Sequence, residues 1–207
     1  MKYIKSKLEL KLSNLGLDIL PYIDKNNNGK DNPYHNNFHL KRVCQFVIKG
    51  CEYYELDLEK TKLLVISALF HDFNHSGGKF KNDDDNINLA IEGFIEWSTL
   101  SEEKNQYIID LIKSTRFPYV TKCENLSQDQ MIIRDSDVLQ GVFCPDYFDK
   151  IVFALADEIG VDRSKMLVGQ KDFLKSTKFC TEWATELYES VLESTLSKVD
   201  RAIESGI

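Results

Sequence analysis

An all-α fold, built as one domain over residues 1–207, is what this sequence predicts. Three observations lead there. Apolar residues recur at three- and four-residue spacing through most of the chain, the period of an amphipathic helix. Helix-starting residues such as Ser101, and the Ser127-Gln128-Asp129-Gln130 pattern of a capping box, stand just before these stretches. No stretch alternates apolar and polar residues convincingly as a half-buried strand would, and there is no repeat or low-complexity tract.

The elements follow in order. Residues 4–20 predict an amphipathic helix, weakened by Gly16 and ended by Pro21. Asp24 to Pro33, with Asn26-Asn27-Asn28-Gly29 inside it, is a polar loop too short to divide domains. A helix starts near Asn36 and runs through Val43, Phe46, Val47 and Gly50 to about Tyr54. The run Leu63 to Phe70 is apolar all round, which suits a buried helix, and Thr61 is a reasonable N-cap for it. After Gly77-Gly78, Asp83-Asp84-Asp85 opens a helix whose stripe is Ile87, Ala90, Ile91, Phe94 and Ile95, the carboxylates meeting its positive end. Ser101 starts the next, which carries Ile108, Ile109, Leu111 and Ile112 and stops near Pro118. The capping box at Ser127 leads into Met131, Ile132, Ile133, Val138 and Leu139. Pro145 suits the first turn of a helix over 146–159, and two longer amphipathic helices near 162–176 and 181–204 close the chain.

Composition narrows the function. A net charge of −7 excludes the basic stripe of a duplex nucleic-acid binder, but not a phosphate-handling enzyme, because metal ions can supply positive charge. No apolar run approaches the ~18 residues of a membrane span, and the N-terminus lacks a signal peptide's uninterrupted apolar core. The five cysteines (Cys44, Cys51, Cys123, Cys144, Cys180) are odd in number and show no C-x-x-C spacing. They read as reduced thiols of a cytoplasmic protein, not as a disulfide framework or zinc ribbon.

The chemistry is concentrated. All four histidines lie in two short stretches, Tyr34-His35-Asn36-Asn37-Phe38-His39 and His71-Asp72-Phe73-Asn74-His75-Ser76-Gly77-Gly78. Adjacent helical residues point about 100° apart, so His71 and Asp72 converge only at a helix end bordering a cavity. His35 and His39 are spaced as two imidazoles on one helical face. Imidazoles with a carboxylate make a mixed nitrogen–oxygen site suited to zinc, manganese, iron or, with more water, magnesium. Asp72 has two oxygens, enough to bridge two such divalent ions about 3.5–4 Å apart, as in two-metal phosphoester hydrolysis. A further ligand is needed, and Arg134-Asp135-Ser136-Asp137 is the best source. Asp137 shares the inward stripe of Ile133 and Gly141, while Asp135 points about 200° away, toward solvent or a neighbouring helix; Asp137 is preferred and Asp135 is the fallback. Arg116 could hold a phosphate bidentately or simply sit solvated at a helix C-terminus, and Lys79 with Lys81 could form a phosphate-attracting rim. Phe117 and Tyr119 could stack on a base, although core packing suits Phe117 better.

The series His39, His71-Asp72, Asp137 is similar to the H…HD…D signature of the HD-domain metal-dependent phosphohydrolases, over about residues 33–142. The pattern Tyr34-His35-Asn36-x-x-His39 with His71-Asp72-x-x-His75-x-Gly77 resembles the cyclic-nucleotide phosphodiesterase branch of that superfamily. The resemblance implies a compact helical domain and metal ligands His39, His71, Asp72 and Asp137. It also implies His35 as the general acid that protonates the leaving oxygen, and His75 beside a second metal and its bridging water. The implied partner is a small nucleotide, either a cyclic mononucleotide or a small cyclic signalling oligonucleotide. A nucleotide phosphomonoesterase, a non-catalytic nucleotide-binding domain and a di-iron oxygenase remain open beside it.

Overall fold

A computed structural model describes residues 6–24, 26, 31–80, 82–144 and 146–206. The parts of the sequence expectations that fall on residues 1–5, on the middle of the 24–33 loop, on Lys81 and on Pro145 lie outside the described residues. Among the described residues there are helices and no strand. The fold is all-α.

The helices are α1 (Lys7–Asn14), α2 (Leu20–Ile23), α3 (Asn37–Tyr53), α4 (Leu58–Phe70), α5 (Asp84–Trp97), α6 (Glu102–Ser114), α7 (Gln128–Val142), α8 (Phe153–Ile159), α9 (Arg163–Ser176) and α10 (Glu182–Ser205). A 3-10 turn at Cys123–Asn125 precedes α7, and a π turn over Phe148–Val152 leads into α8. The local chemistry explains most boundaries. Ser127 accepts from the Gln130 N–H while Gln130 returns a bond to the Ser127 N–H, so both orphan donors at the start of α7 are satisfied. Asp162 and Thr181 cap α9 and α10 without a returned bond: Asp162 accepts the Ser164 and Lys165 N–H groups and Thr181 the Ala184 N–H.

Four boundaries differ from the sequence reading; one is the helix expected over 146–159, whose first part is the π turn Phe148–Val152, so that α8 begins only at Phe153. The helix expected over 4–20 is shorter and broken, because Gly16 takes φ +69°, which ends α1. Pro21 does not terminate a helix; it sits in the first turn of α2, where its missing N–H costs nothing. The cap of α4 is Asp57, which accepts from the Lys60 N–H, not Thr61 one turn later. Leu58 is exposed, so the apolar run that made this helix visible begins one turn inside it.

Helix α3 is the axis of the molecule. Its residues Leu40, Val43, Cys44 and Val47 join a core built with α1, α2, α4–α6 and the first half of α7, and Phe46 joins a second core built from the end of α7 and α8–α10. Gly50 is where α3 meets α7 and α10: a methyl there would come within 2.9 Å of Ile132 and 3.1 Å of Trp183. The N-terminal end of α3, the C-terminal end of α4 and the middle of α7 therefore converge, and the histidine motifs sit there.

The cysteines require a correction. Cys123 and Cys180 form a disulfide across 57 residues of sequence, with Cα atoms 5.2 Å apart; Cys44, Cys51 and Cys144 are free and buried. Burial, the largest influence, pushes the Cys51 thiol up to about 12, so it stays protonated and unreactive. The pair is made by tertiary proximity, which spacing cannot reveal, and the argument for a reducing compartment no longer stands on it. No helix among the described residues is long and apolar enough to cross a membrane.

Candidate metal centre

Two of the donors, His39 and His71, are placed by local devices at helix ends. Asn36 is extended and caps α3, its Oδ1 accepting the Phe38 N–H at 2.9 Å and the His39 N–H at 3.2 Å. Its amide donates back to the Asn32 and Pro33 carbonyls, fixing the loop before the helix. This places His39 in the first turn, buried and facing inward. It also corrects the expectation that His35 and His39 share a helical face: His35 precedes the cap and is not helical. Their rings still lie 5.7 Å apart, brought together by the bend at Asn36.

At the end of α4 the chain leaves the helix at His71, as the apolar run requires. The His71 Nδ1–H donates to the Ala68 carbonyl at 2.9 Å, which leaves Nε2 with a bare lone pair. Asp72 Oδ2 lies 3.1 Å from that atom and 3.0 Å from His39 Nε2. The two Nε2 atoms are 3.2 Å apart. Asp137 Oδ1, from the middle of α7, stands 3.2 Å from His39 Nε2 and 3.5 Å from His71 Nε2.

These separations test the fit of an ion. Four donors about 2.1 Å from one centre sit about 3.0 Å apart at octahedral angles and about 3.4 Å apart at tetrahedral ones. The observed 3.0–3.5 Å covers that interval. His39, His71, Asp72 and Asp137 can therefore hold a metal ion. Asp135 takes the other direction along α7. Its buried carboxylate accepts the Cys180 and Thr181 N–H groups and the Thr181 hydroxyl, anchoring the start of α10.

The electrostatics call for positive charge. Burial alone would lower His39 and His71, but the Asp72 and Asp137 carboxylates outweigh it: His39 is raised and His71 is held well above 6.5. Burial likewise opposes charge on the carboxylates, yet the two imidazoles pull Asp72 well below its ordinary value and Asp137 down to about 2. Protons and a metal ion compete for the same lone pairs. Without metal, raised histidine pKa values add stability that is full below pH 6.5 and is lost as pH climbs through the folded-state values. The depressed carboxylates contribute a constant amount there, since their share fades only in strong acid. With a divalent ion the slope changes sign, because binding must release those protons. The melting temperature of chelator-treated protein should therefore fall as pH rises above about 6.5, while the increment produced by zinc grows over the same range. Differential scanning fluorimetry reads both, and an increment that shrinks with pH would count against these imidazoles as ligands.

A second constellation adjoins the first. Glu158, buried in α8 just before Gly160, accepts the Tyr34 and His35 N–H groups at 2.9 Å and is bonded to His35 Nδ1. Burial would raise its pKa, but His35 pulls it below the ordinary glutamate value, so it is an anion holding His35 by Nδ1. His75 stacks on His35 with ring centroids 3.7 Å apart. Its Nδ1 accepts the Gly77 N–H at 3.1 Å, placing the proton on Nε2, and burial followed by the neighbouring His35 lowers its pKa to about 4. Asn32 ties the motifs together by donating to the His35 and His75 carbonyls. Gly77 has φ +66°, and a methyl there would lie 2.3 Å from Asn32 Oδ1. His35, His75 and Glu158 have donors within 4.8 Å of one another, close enough for an ion. Their Nδ1 atoms are already engaged, however, and the trio is organised as a hydrogen-bonded group.

A cavity of about 350 Å³ opens onto both constellations; His35, Asp72, His75 and Asp137 share its wall with Asp83, Arg116 and Phe117. Asp83 accepts the Phe117 N–H at 2.9 Å and stands 4.0 Å from His75 Nε2. Arg116 faces this cavity, but its guanidinium is forked onto Asp84 and also reaches the Pro118 carbonyl. Lys79 is exposed and outside the wall. Phe117 is 54% exposed at the mouth, not packed in the core as its sequence context suggests. Glu158, Asn32 and Asp83 were not singled out for the site from sequence. Glu158 lies 123 residues from His35 and had no motif to mark it.

No protein-family model matches the chain. No curated protein matches it significantly in sequence.

Proposed function

We propose that this protein is a metal-dependent phosphodiesterase of the HD-domain type, acting on a cyclic nucleotide. The observation that carries the reading is the pairing of two constellations on one cavity: four converging donors, and a histidine outside that set, backed by a buried carboxylate. The cavity wall carries Asp72, Asp83 and Asp137 against an already paired Arg116, so an anionic phosphoester needs a cation to enter. His39, His71, Asp72 and Asp137 would hold the ion, with Asp72 Oδ2 beside both imidazole Nε2 atoms. Zinc, manganese, iron or magnesium would supply Lewis acidity at phosphorus and acidify water. His35 gives its Nε2 proton to the departing ribose oxygen as the P–O bond breaks and hydroxide, formed from water whose proton has gone to solvent, adds to phosphorus. Glu158 stabilises the charged ring until that transfer. Neutral His75 donates from Nε2 toward a phosphoryl oxygen. A nucleotide phosphomonoesterase would use the same donors with less need of the His35–Glu158 pair.

The test is metal analysis coupled to hydrolysis of 3′,5′-cyclic mononucleotides, small cyclic oligonucleotides and linear nucleotides. Metal-dependent opening of a cyclic diester is the expected result. Cleavage of monoesters alone would replace this reading with the phosphomonoesterase, and iron-dependent oxygen uptake would replace it with an oxygenase.

A further inference from the structure

A second cavity, of about 420 Å³, shares Phe117 with the metal-centre cavity and is within the range of small-molecule sites. Four rings stand in its wall: Phe117, Tyr119, Phe173 and Phe179. The disulfided Cys123 and Cys180 form part of its wall. Into this apolar lining comes Arg134, 4% exposed and stacked on the Tyr119 ring with its guanidinium carbon 4.3 Å from the centroid. Nε donates to the Ser114 carbonyl at 3.0 Å and Nη1 to the Thr121 carbonyl at 2.7 Å, which fix the fork; Nη2 donates to no group among the described residues. Two more cations, Lys122 and Lys178, stand at the rim. The only carboxylate in the wall among the described residues, Asp135, is consumed by the start of α10. A preoriented cation with a spare donor inside an aromatic cavity is matched by one kind of small molecule.

We propose that this cavity is a second binding site, for a small anion with an aromatic or apolar body. Its carboxylate, sulfonate or phosphate group meets Arg134 Nη2, and its body lies along the phenyl rings. Phe117 lines this cavity and the metal-centre cavity alike, so a ligand here sets the position of a wall of the other. The site does not rest on the phosphodiesterase reading.

The probe is 8-anilinonaphthalene-1-sulfonate, titrated by calorimetry into the full chain, with neutral N-phenyl-1-naphthylamine as the uncharged counterpart. One sulfonate should bind per chain, about ten- to a hundredfold tighter than the neutral amine, the range of a charged hydrogen bond in a desolvated site. Arg134→Gln should remove that preference. Because Arg134 also pins two carbonyls, Ser176→Trp serves as the second variant: Ser176 is exposed at the cavity wall, and an indole there fills the space without entering the core. Ser176→Trp should weaken both probes at least about tenfold with an unchanged melting temperature. Several dyes per chain, equal affinity for the two probes, or indifference to Ser176→Trp would overturn the site.

Discussion

Asp72→Ala is expected to abolish metal retention and hydrolysis together. Asp72 Oδ2 lies within 3.1 Å of both imidazole Nε2 atoms, so its removal takes away the oxygen common to the donor set. A Lewis-acid ion contributes several kcal/mol to a phosphoryl-transfer transition state, and each ~1.4 kcal/mol is tenfold in rate, so turnover should fall at least about 10³-fold. Stability supplies an independent readout. An ion present at a hundred times its dissociation constant stabilises the native state by about 2.7 kcal/mol, or roughly 5–10 °C for a chain of this size. Wild-type protein should show that shift on adding metal and Asp72→Ala should not. A variant that kept both the shift and the activity would place the reaction elsewhere. One that lost activity but kept the shift would make Asp72 a participant in chemistry and not an essential ligand.

Helix phase was legible from local sequence, as were the termini marked by strong caps, and so was the part of the site that depends on them. Asn36, Ser127 and the last two helices fall within a residue or two of their expected places because caps and apolar periodicity act over a few residues. The same arithmetic turned Asp137 inward and Asp135 toward a neighbouring helix, which proved to be α10. Local reasoning failed where the decisive partner is remote. Glu158 and His35 meet because α8 packs over the loop before α3, and Cys123 meets Cys180 because α7 and α10 are neighbours. Nothing in their immediate sequence encodes either contact. The spacing of His35 and His39 brought the right rings together for the wrong reason: a bend at a cap, not a helical turn, sets their separation. Phe117 shows the converse, an apolar residue whose exposure follows from Asp83 holding its N–H at the cavity mouth.

His35→Ala separates acid catalysis from metal binding. His35 lies outside the four-donor cluster, so metal content should stay at the wild-type level. General acid catalysis is typically worth about 10²–10⁴-fold, and a cyclic nucleotide expels a basic ribose alkoxide, so its turnover should fall by that order. A bis-nitrophenyl phosphodiester expels an anion that needs little protonation and should be hurt far less. Glu158→Gln should reproduce the pattern in weaker form. The amide still accepts the Tyr34 and His35 N–H groups that Glu158 Oε2 accepts, but no longer places a negative charge against His35 Nδ1. His39→Ala should instead depress both substrates together, through lost metal. The ratio of the two rates, measured at matched metal occupancy, is therefore the diagnostic quantity. If His35→Ala lowers both substrates equally with metal retained, His35 positions substrate and is not the acid. If it lowers neither, the His35–Glu158 pair is structural, and the four donors serve a phosphomonoesterase.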